Sequence, residues 1–265
     1  MRAINMPELS PKTRRDIRIA NLRSAARRRA ARFGYDEPTG LFYVTDGENQ
    51  HTFGDFGRGR GLYKRGLTHR AEVLWKSYTL QNIQFSQGDV VIDCGANYAD
   101  LWLTLKHHIK PENYITFEPG KREHLAIEKN APKAKANNFG LGAQNEIHTF
   151  YINEKDADSS FIEPSTYDGT LEIQTVTLDS YMDSNAVEQV KLFKLEAEGF
   201  EPEILQGARA VLNRIEYVAI DGGYERGVNS EQTFTYQANL LADHGFEMVD
   251  IYPKFGRALF RNKAL

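Results

Sequence analysis

Two stretches of this chain carry residue types that could do chemistry at a meaningful spacing. In the first, the apolar run Val90-Val91-Ile92 leads into Asp93-Cys94-Gly95-Ala96-Asn97-Tyr98-Ala99, and a second apolar run, Tyr114 to Phe117, ends in Glu118-Pro119. Glu118 follows Gly95 by 23 residues, close to the roughly 20 expected of an acidic residue that takes ribose hydroxyls. Such a carboxylate suits a free 2′,3′-diol and rejects a 2′-phosphate. A glycine at the turn lets the backbone approach a ligand. The turn is not G-x-G-x-x-G, because Asn97 and Ala99 stand where glycines would. Asp93 would repel a pyrophosphate but attract the ammonium and sulfonium of S-adenosylmethionine; the bland alternative is a cap on the next helix. The expected cofactor set is Asp93, Gly95, Ala96, Asn97, Glu118, Pro119, Gly140, Leu141 and Glu196.

The second stretch is Lys194-Leu195-Glu196-Ala197-Glu198-Gly199-Phe200-Glu201. Glu196 and Glu198 sit two apart, on one side of an extended segment, where they would stand over a reacting methyl group. A carboxylate whose pKa is raised by burial or by its neighbour can take the proton of an alcohol nucleophile. Glu196, Glu198 and Asp221 are therefore the catalytic candidates. Glu201 reads better as a carboxylate at the positive end of the next helix. Asp221 and Arg226 lie in a glycine-rich loop suited to hydroxyl recognition, with a plain turn as the alternative. Arg58, Arg60, Tyr63, Ser159, Ser160 and Arg226 are candidate acceptor contacts, and His51 and His69 could help close over the site. His107-His108 lacks a partner at metal spacing and reads as structural. Cys94 reads as a small core residue. No Ser-His-Asp order, Walker loop or zinc pattern is present; no metal set is legible, although the carboxylates would permit Mg²⁺.

Elements with the right alternation must position these groups. From Gly88 onward short apolar strands alternate with helices: Val90–Ile92, a helix over Ala99–Ile109, Tyr114–Phe117, a helix over Lys121–Asn130, a third strand ending at Asn137–Gly140, Val190–Leu195, a helix over Glu201–Asn213, Tyr217–Ile220 and a helix over 231–244. This predicts an α/β fold, a doubly wound and mostly parallel sheet. Glu247–Ile251 and Ala258–Phe260 predict a terminal antiparallel hairpin. His148–Ile152 and Ile173–Val176 predict a hairpin insertion at about 146–177. Ahead of this domain, placed at 69–265, stands a 1–68 extension. It reads as a basic helix over 12–33 capped by Ser10-Pro11 and ended by Gly34, a hairpin over 41–53, and a Gly/Arg-rich loop from Gly54 to Gly66. Residues 69–82 read as a further helix.

Composition narrows the class. The chain has 265 residues, 41% of them apolar and 26% charged, ordinary for a globular protein. No run approaches the roughly 18–20 apolar residues of a spanning helix, no secretory core opens the chain, and the single Cys94 excludes an internal disulfide. A cytoplasmic home is expected. The net charge of −3 hides an asymmetry: residues 1–33 hold ten basic residues against Glu8 and Asp16. That arm is either a solvated helix or a peripheral contact with anionic membrane or a lipid-linked substrate. An Arg-rich start also resembles a mitochondrial presequence, against which Glu8, Asp16 and Pro11 argue. Nucleic acid is not expected.

With these residues in place, the chain resembles the FkbM-type methyltransferase family. The resemblance is carried by Gly88 to Asn97, Phe117-Glu118-Pro119, Leu178-Asp179, Lys194 to Glu201 and Ile204-Leu205-Gln206-Gly207-Ala208, and covers roughly 70–260. It implies a class I methyltransferase (Rossmann-like) fold, S-adenosylmethionine as donor, and O-methylation, often of a sugar in a surface glycan, glycolipid or natural product. Asp93, Gly95 and Asn97 match the cofactor turn, Glu118 the ribose ligand, and Glu198-Gly199 the family's Glu-Gly. Ala99 replaces a usual glycine, which would crowd the methionine tail, and Glu196 stands where many members have Asp. The competing readings are an enzyme that binds NAD or a nucleotide sugar on the same sheet, and a non-catalytic binding module.

Overall fold

A computed structural model describes residues 9–153 and 159–265. The N-terminal region holds α1 (Pro11–Ala26), β1 (Arg32–Asp36), β2 (Leu41–Asp46), β3 (Asn49–Phe53), α2 (Phe56–Tyr63) and α3 (Leu67–Ser77). The larger region begins with β4 (Val91–Cys94), α4 (Trp102–Leu105), β5 (Tyr114–Phe117), α5 (Lys121–Asn130), β6 (Lys135–Asn137) and β7 (Gly140–Leu141). It continues through β8 (Glu146–Ile152), β9 (Gly169–Val176), α6 (Leu178–Ser184), β10 (Val190–Leu195) and α7 (Glu201–Gln206). β11 (Ile215–Asp221), β12 (Tyr224–Arg226), β13 (Glu231–Gln232), α8 (Phe234–Asp243), β14 (Phe246–Tyr252) and β15 (Arg257–Asn262) complete it.

The central sheet has seven strands in the order β14-β15-β11-β10-β4-β5-β6. β11, β10, β4, β5 and β6 run parallel, and β15 and β14 close one edge antiparallel. This is the expected α/β sheet with its terminal hairpin. Strands buried on both faces read as continuous apolar runs, and β4 and β5 are buried at every position. One apolar layer, with Phe193, Leu195, Ile204 and Leu241, packs on one face; another, with Tyr78, Leu105, Tyr114 and Leu192, packs on the other. The insertion forms its own small sheet, β7-β9-β8. The parallel strands reverse order between β4 and β10, the place where such sheets open a crevice at their carboxyl ends.

Several expected elements differ. The basic helix stops at Ala26, not Phe33. Arg28 takes a left-handed φ of 53°, which turns the chain so that Ala31 and Phe33 enter the core. Gly34 is not a helix stop. It lies in β1 opposite Tyr43, whose ring would lie 2.2 Å from any added Cβ. The Gly/Arg-rich stretch is helix α2, capped by Asp55, which accepts from the Arg58 N–H at 2.7 Å. Its glycines have low helix propensity, but Gly59 packs against the Phe53 ring where a Cβ would lie 2.1 Å away, so packing overrides propensity. The helix expected over 99–109 shrinks to α4, because Asn97 and Ala99 both take positive φ. α7 ends at Gly207, where a Cβ would lie 2.0 Å from the Gly142 carbonyl. The helices expected over 69–82 and 231–244 are replaced by α3, a short 3₁₀ turn, β13 and α8.

The N-terminal sheet is tied to the larger region through polar bonds. Asn130 at the end of α5 accepts from the Thr52 N–H and donates to the Thr52 and Tyr98 carbonyls, each at 2.7 Å. His51 on β3 lies 2.8 Å from Asp100.

Candidate active site

A cleft opens at the carboxyl ends of β4, β5 and β10. Asp93, Gly95, Ala96, Asn97, Glu118, Pro119, Gly140, Leu141, Glu196, Glu198, Arg58, Ser159 and Ser160 line it. Arg60, Tyr63, Asp221 and Arg226 do not.

Glu118 directly follows β5 and is buried. Its carboxylate accepts from the Asn97 N–H at 2.8 Å and the Gly120 N–H at 2.9 Å. Burial, reinforced by Glu123, pushes its pKa up to about 7 against those two bonds. A carboxylate offers about four lone-pair positions, so these two bonds leave two unused. Asn138 holds this corner by donating to the Glu118 and Pro119 carbonyls, each at 2.9 Å. Asn97 Oδ1 is buried in the same turn and accepts no hydrogen bond among the described residues. An orphaned acceptor beside a buried carboxylate fits a ligand that brings hydroxyls and an ammonium.

Gly95 lines the cleft as expected of the turn and has a second, structural role. At φ 67°, an added Cβ would lie 1.9 Å from the Glu196 carbonyl, so the glycine brings two strand ends of the protein together. Ala99 is fully buried in the core and does not line the cleft; it cannot crowd a ligand's tail.

Asp93, which is buried, and Glu196, which is partly exposed, belong to one charge cluster. Lys194, inside β10, bridges Asp93 at 3.0 Å and Glu196 at 3.1 Å and donates to the Cys94 and Gly95 carbonyls. Tyr114 donates to Asp93 and Tyr78 to Glu196. Arg257 on β15 binds Glu196 at 2.9 Å and Asp221 at 2.6 Å. Burial raises Asp93 more than Lys194 and Tyr114 lower it. For Glu196 the balance reverses: burial is outweighed by Lys194, Arg257 and Tyr78, which hold it well below the usual carboxylate range. That corrects Glu196 as the proton acceptor, since a carboxylate so held is a poor base. Asp221 is corrected too: it is buried against Arg257, accepts from the Gly223 N–H and stands outside the cleft wall.

The pair Glu196 and Glu198 does not share a side of an extended segment. β10 ends at Leu195, and Glu198 (φ 48°) and Gly199 (φ 95°) form a left-handed turn. Ser160 Oγ donates to the Glu198 carbonyl at 2.8 Å, while Ser159 Oγ accepts from the Asn153 N–H. Glu201 is buried and anchors the turn, accepting from the Ala197 and Gly199 N–H groups and from Thr233; burial pushes it up to about 7. Arg226 is corrected from acceptor contact to clasp, with both terminal nitrogens on Glu203. Tyr63 is fully buried and donates to Asp100 at 2.6 Å, and Arg60 is exposed away from the cleft. His108 stacks on Trp75 at 4.9 Å, His69 is partly buried outside the cleft lining, and Cys94 is buried, its thiol pKa pushed up by burial. Among the described residues no group of three or more His, Cys, Asp or Glu could hold a metal ion, and no helix is long and apolar enough to cross a membrane.

Sequence reasoning missed Lys194, Arg257, Tyr78, Arg70 and Asp100. A signal existed for Lys194 alone: a second lysine in the apolar strand Val190–Leu195.

A mostly parallel sheet closed by an antiparallel pair, with a carboxylate-lined cleft at its carboxyl ends, defines a methyltransferase-type α/β domain. The FkbM methyltransferase domain matches residues 93–248, more than half of the chain, and the chain belongs to that family. No curated protein matches it in sequence. Among solved structures, the FkbM methyltransferase of Methylobacillus flagellatus KT shares 18% identity at a TM-score of 0.44, over 68% of this chain and 44% of that one. This chain therefore spans less than half of that relative's length. Sp1610 of Streptococcus pneumoniae, a proposed tRNA (m1A22) methyltransferase, shares 15% identity at a TM-score of 0.41, over 73% and 71%. The assignment rests on the family match and the sheet order, not on these likenesses.

Proposed function

We propose that this chain is an S-adenosylmethionine-dependent O-methyltransferase that acts on a hydroxyl of a sugar, in a surface glycan, a glycolipid or a natural product. The observation that carries the reading is the buried Glu118 carboxylate facing the cleft beside the orphaned Asn97 Oδ1, inside a chain of this family. When bound, S-adenosylmethionine supplies a methyl group made electrophilic by its sulfonium. Glu118 takes the ribose hydroxyls on its two remaining lone-pair positions. Asn97 Oδ1 and Asp93 face the ammonium. Glu196, kept ionised by Lys194 and Arg257, supplies fixed negative charge to the cleft wall. Glu198 takes the acceptor's proton, held in place by Ser160 and the Gly199 turn.

Calorimetry with S-adenosylhomocysteine, NAD and nucleotide sugars tests the donor, and transfer of labelled methyl onto glycan fractions tests the acceptor. Binding of NAD alone would sink the proposal. Glu198→Gln is expected to lower turnover by ~10²–10⁴-fold, the range of general-base catalysis, with donor affinity retained; unchanged turnover removes Glu198 from the role. The same reading gives the exposed basic residues of α1 (Lys12, Arg14, Arg15, Arg18 and Arg23) an anionic headgroup or lipid-linked acceptor as partner. Co-sedimentation with anionic vesicles, reversed by salt, is the expected result; no sedimentation at low salt refutes it.

A further inference from the structure

We propose that Arg70, on helix α3 and outside the family-matched residues, is the anchor for the carboxylate of the donor's amino-acid tail. The inference deepens the donor reading above and rests on it.

Arg70 and Asp100 both line the cleft. Asp100 lies three residues beyond Asn97, so the pair stands at the turn where the donor's tail is assigned. Arg70 Nε donates to Asp100 Oδ2 at 2.6 Å. The two terminal nitrogens of the guanidinium bond no described atom, although the side chain is only 19% exposed. The neighbouring cations are differently engaged. Lys194 is surrounded by two carboxylates and two carbonyls. Arg257 is bound to Asp221, Glu196 and Ser77.

A carboxylate entering a cleft loses water and needs a charged donor in return. The planar fork of an arginine meets a carboxylate with two parallel N–H···O bonds, which a lysine cannot do. Arg70 presents such a fork with one edge already fixed. Asp100 holds that edge, and it is itself held by His51 at 2.8 Å and Tyr63 at 2.6 Å. Burial of Asp100 is outweighed by Arg70, His51 and Tyr63, which keep it ionised. β3 and α2 thus each contribute one residue that holds Asp100, the mount for the guanidinium that α3 supplies. The N-terminal region then completes the donor site rather than decorating the domain.

The test uses the full chain and two ligands that differ by the carboxylate alone, S-adenosylmethionine and its decarboxylated form, with affinities read by calorimetry. Arg70→Ala is expected to weaken S-adenosylmethionine by ~10–100-fold, the range for charge-assisted hydrogen bonds, and to leave the decarboxylated form within about 3-fold. Arg70→Lys should recover part of the loss, because a point charge replaces the fork. Should Arg70→Ala fail to fold, Arg70→Gln keeps a donor for Asp100, removes the charge, and should show the same selectivity. Equal weakening of both ligands would make Arg70 a structural strut and overturn the proposal. No weakening of either would overturn it too, and a selective loss in Arg58→Ala would then move the anchor to Arg58. A wild-type chain that binds neither ligand refutes the donor reading itself, a distinct outcome.

Discussion

The ends of β5 and β10 each present a glutamate to the same cleft, and the two behave oppositely. Glu118 is bonded to two backbone N–H groups with Glu123 nearby, and burial raises its pKa to about 7. Glu196 is less deeply set, its side chain a quarter exposed, and Lys194, Arg257 and Tyr78 surround it and hold it ionised. Burial disfavours charge wherever it acts alone; paired with cations it strengthens the attraction that keeps the charge. The same residue type at corresponding strand ends is therefore readily protonated in one region and a fixed charge in the other.

The most direct way to break this contrast is to remove the cation. Lys194→Met leaves the buried Asp93 without its cation and the partly exposed Glu196 with less compensation, and should cost about 3–5 kcal/mol, read from urea unfolding. A loss under about 1 kcal/mol would mean that the cluster does not depend on Lys194. Next in size, Gly95→Ala drives a Cβ into the Glu196 carbonyl at a positive φ and should cost on the order of 2 kcal/mol or more. A neutral result would show that the two strand ends can separate.

Glu118→Gln sharpens the other side. Donor affinity should fall by ~10–100-fold through loss of charged hydrogen bonds, measured by calorimetry; unchanged affinity would remove Glu118 from the ribose. The pH dependence follows from the raised pKa. The folded protein retains a proton on Glu118, and on Glu201, that the unfolded chain has already released. Between about pH 4.5 and 7 stability therefore falls as pH rises. The unliganded protein should have a higher Tm near the acid end of that window than above it, and Glu118→Gln should flatten the dependence. A Tm that climbs with pH across the window would contradict the raised values. The smallest effect is expected at Arg60, exposed and outside the cleft. Arg60→Ala should stay within about 0.5 kcal/mol of wild type with unchanged donor affinity, and a large loss of affinity would restore it as a contact.

Much of the frame is legible along the chain. Val90–Ile92, Tyr114–Phe117, Val190–Leu195 and Tyr217–Ile220 are short apolar runs at βα spacing, and each overlaps a strand. The closing pair near 247–260 is equally plain. The carboxylate after the second strand and the Asp-x-Gly turn could be placed at the cleft from spacing. Boundaries fared worse where packing overrode local preference. Gly57, Gly59 and Gly61 argue for a loop, but α2 forms because Gly59 seats the Phe53 ring. Ala99 argues for a helix start, but its left-handed backbone delays the helix to Trp102.

Order along the chain thus sufficed for strand identity, sheet type and the position of each strand-end carboxylate, because these depend on short-range periodicity and on the direction of parallel strands. Only folding decided which carboxylates meet cations. Lys194, Tyr78 and Arg257 are far apart in number, and their convergence on Glu196 depends on β15 lying beside β11 and on the turn after α3 lying over the sheet. An ionisable group's charge state is set by neighbours in space, and those neighbours have no fixed spacing in a sequence.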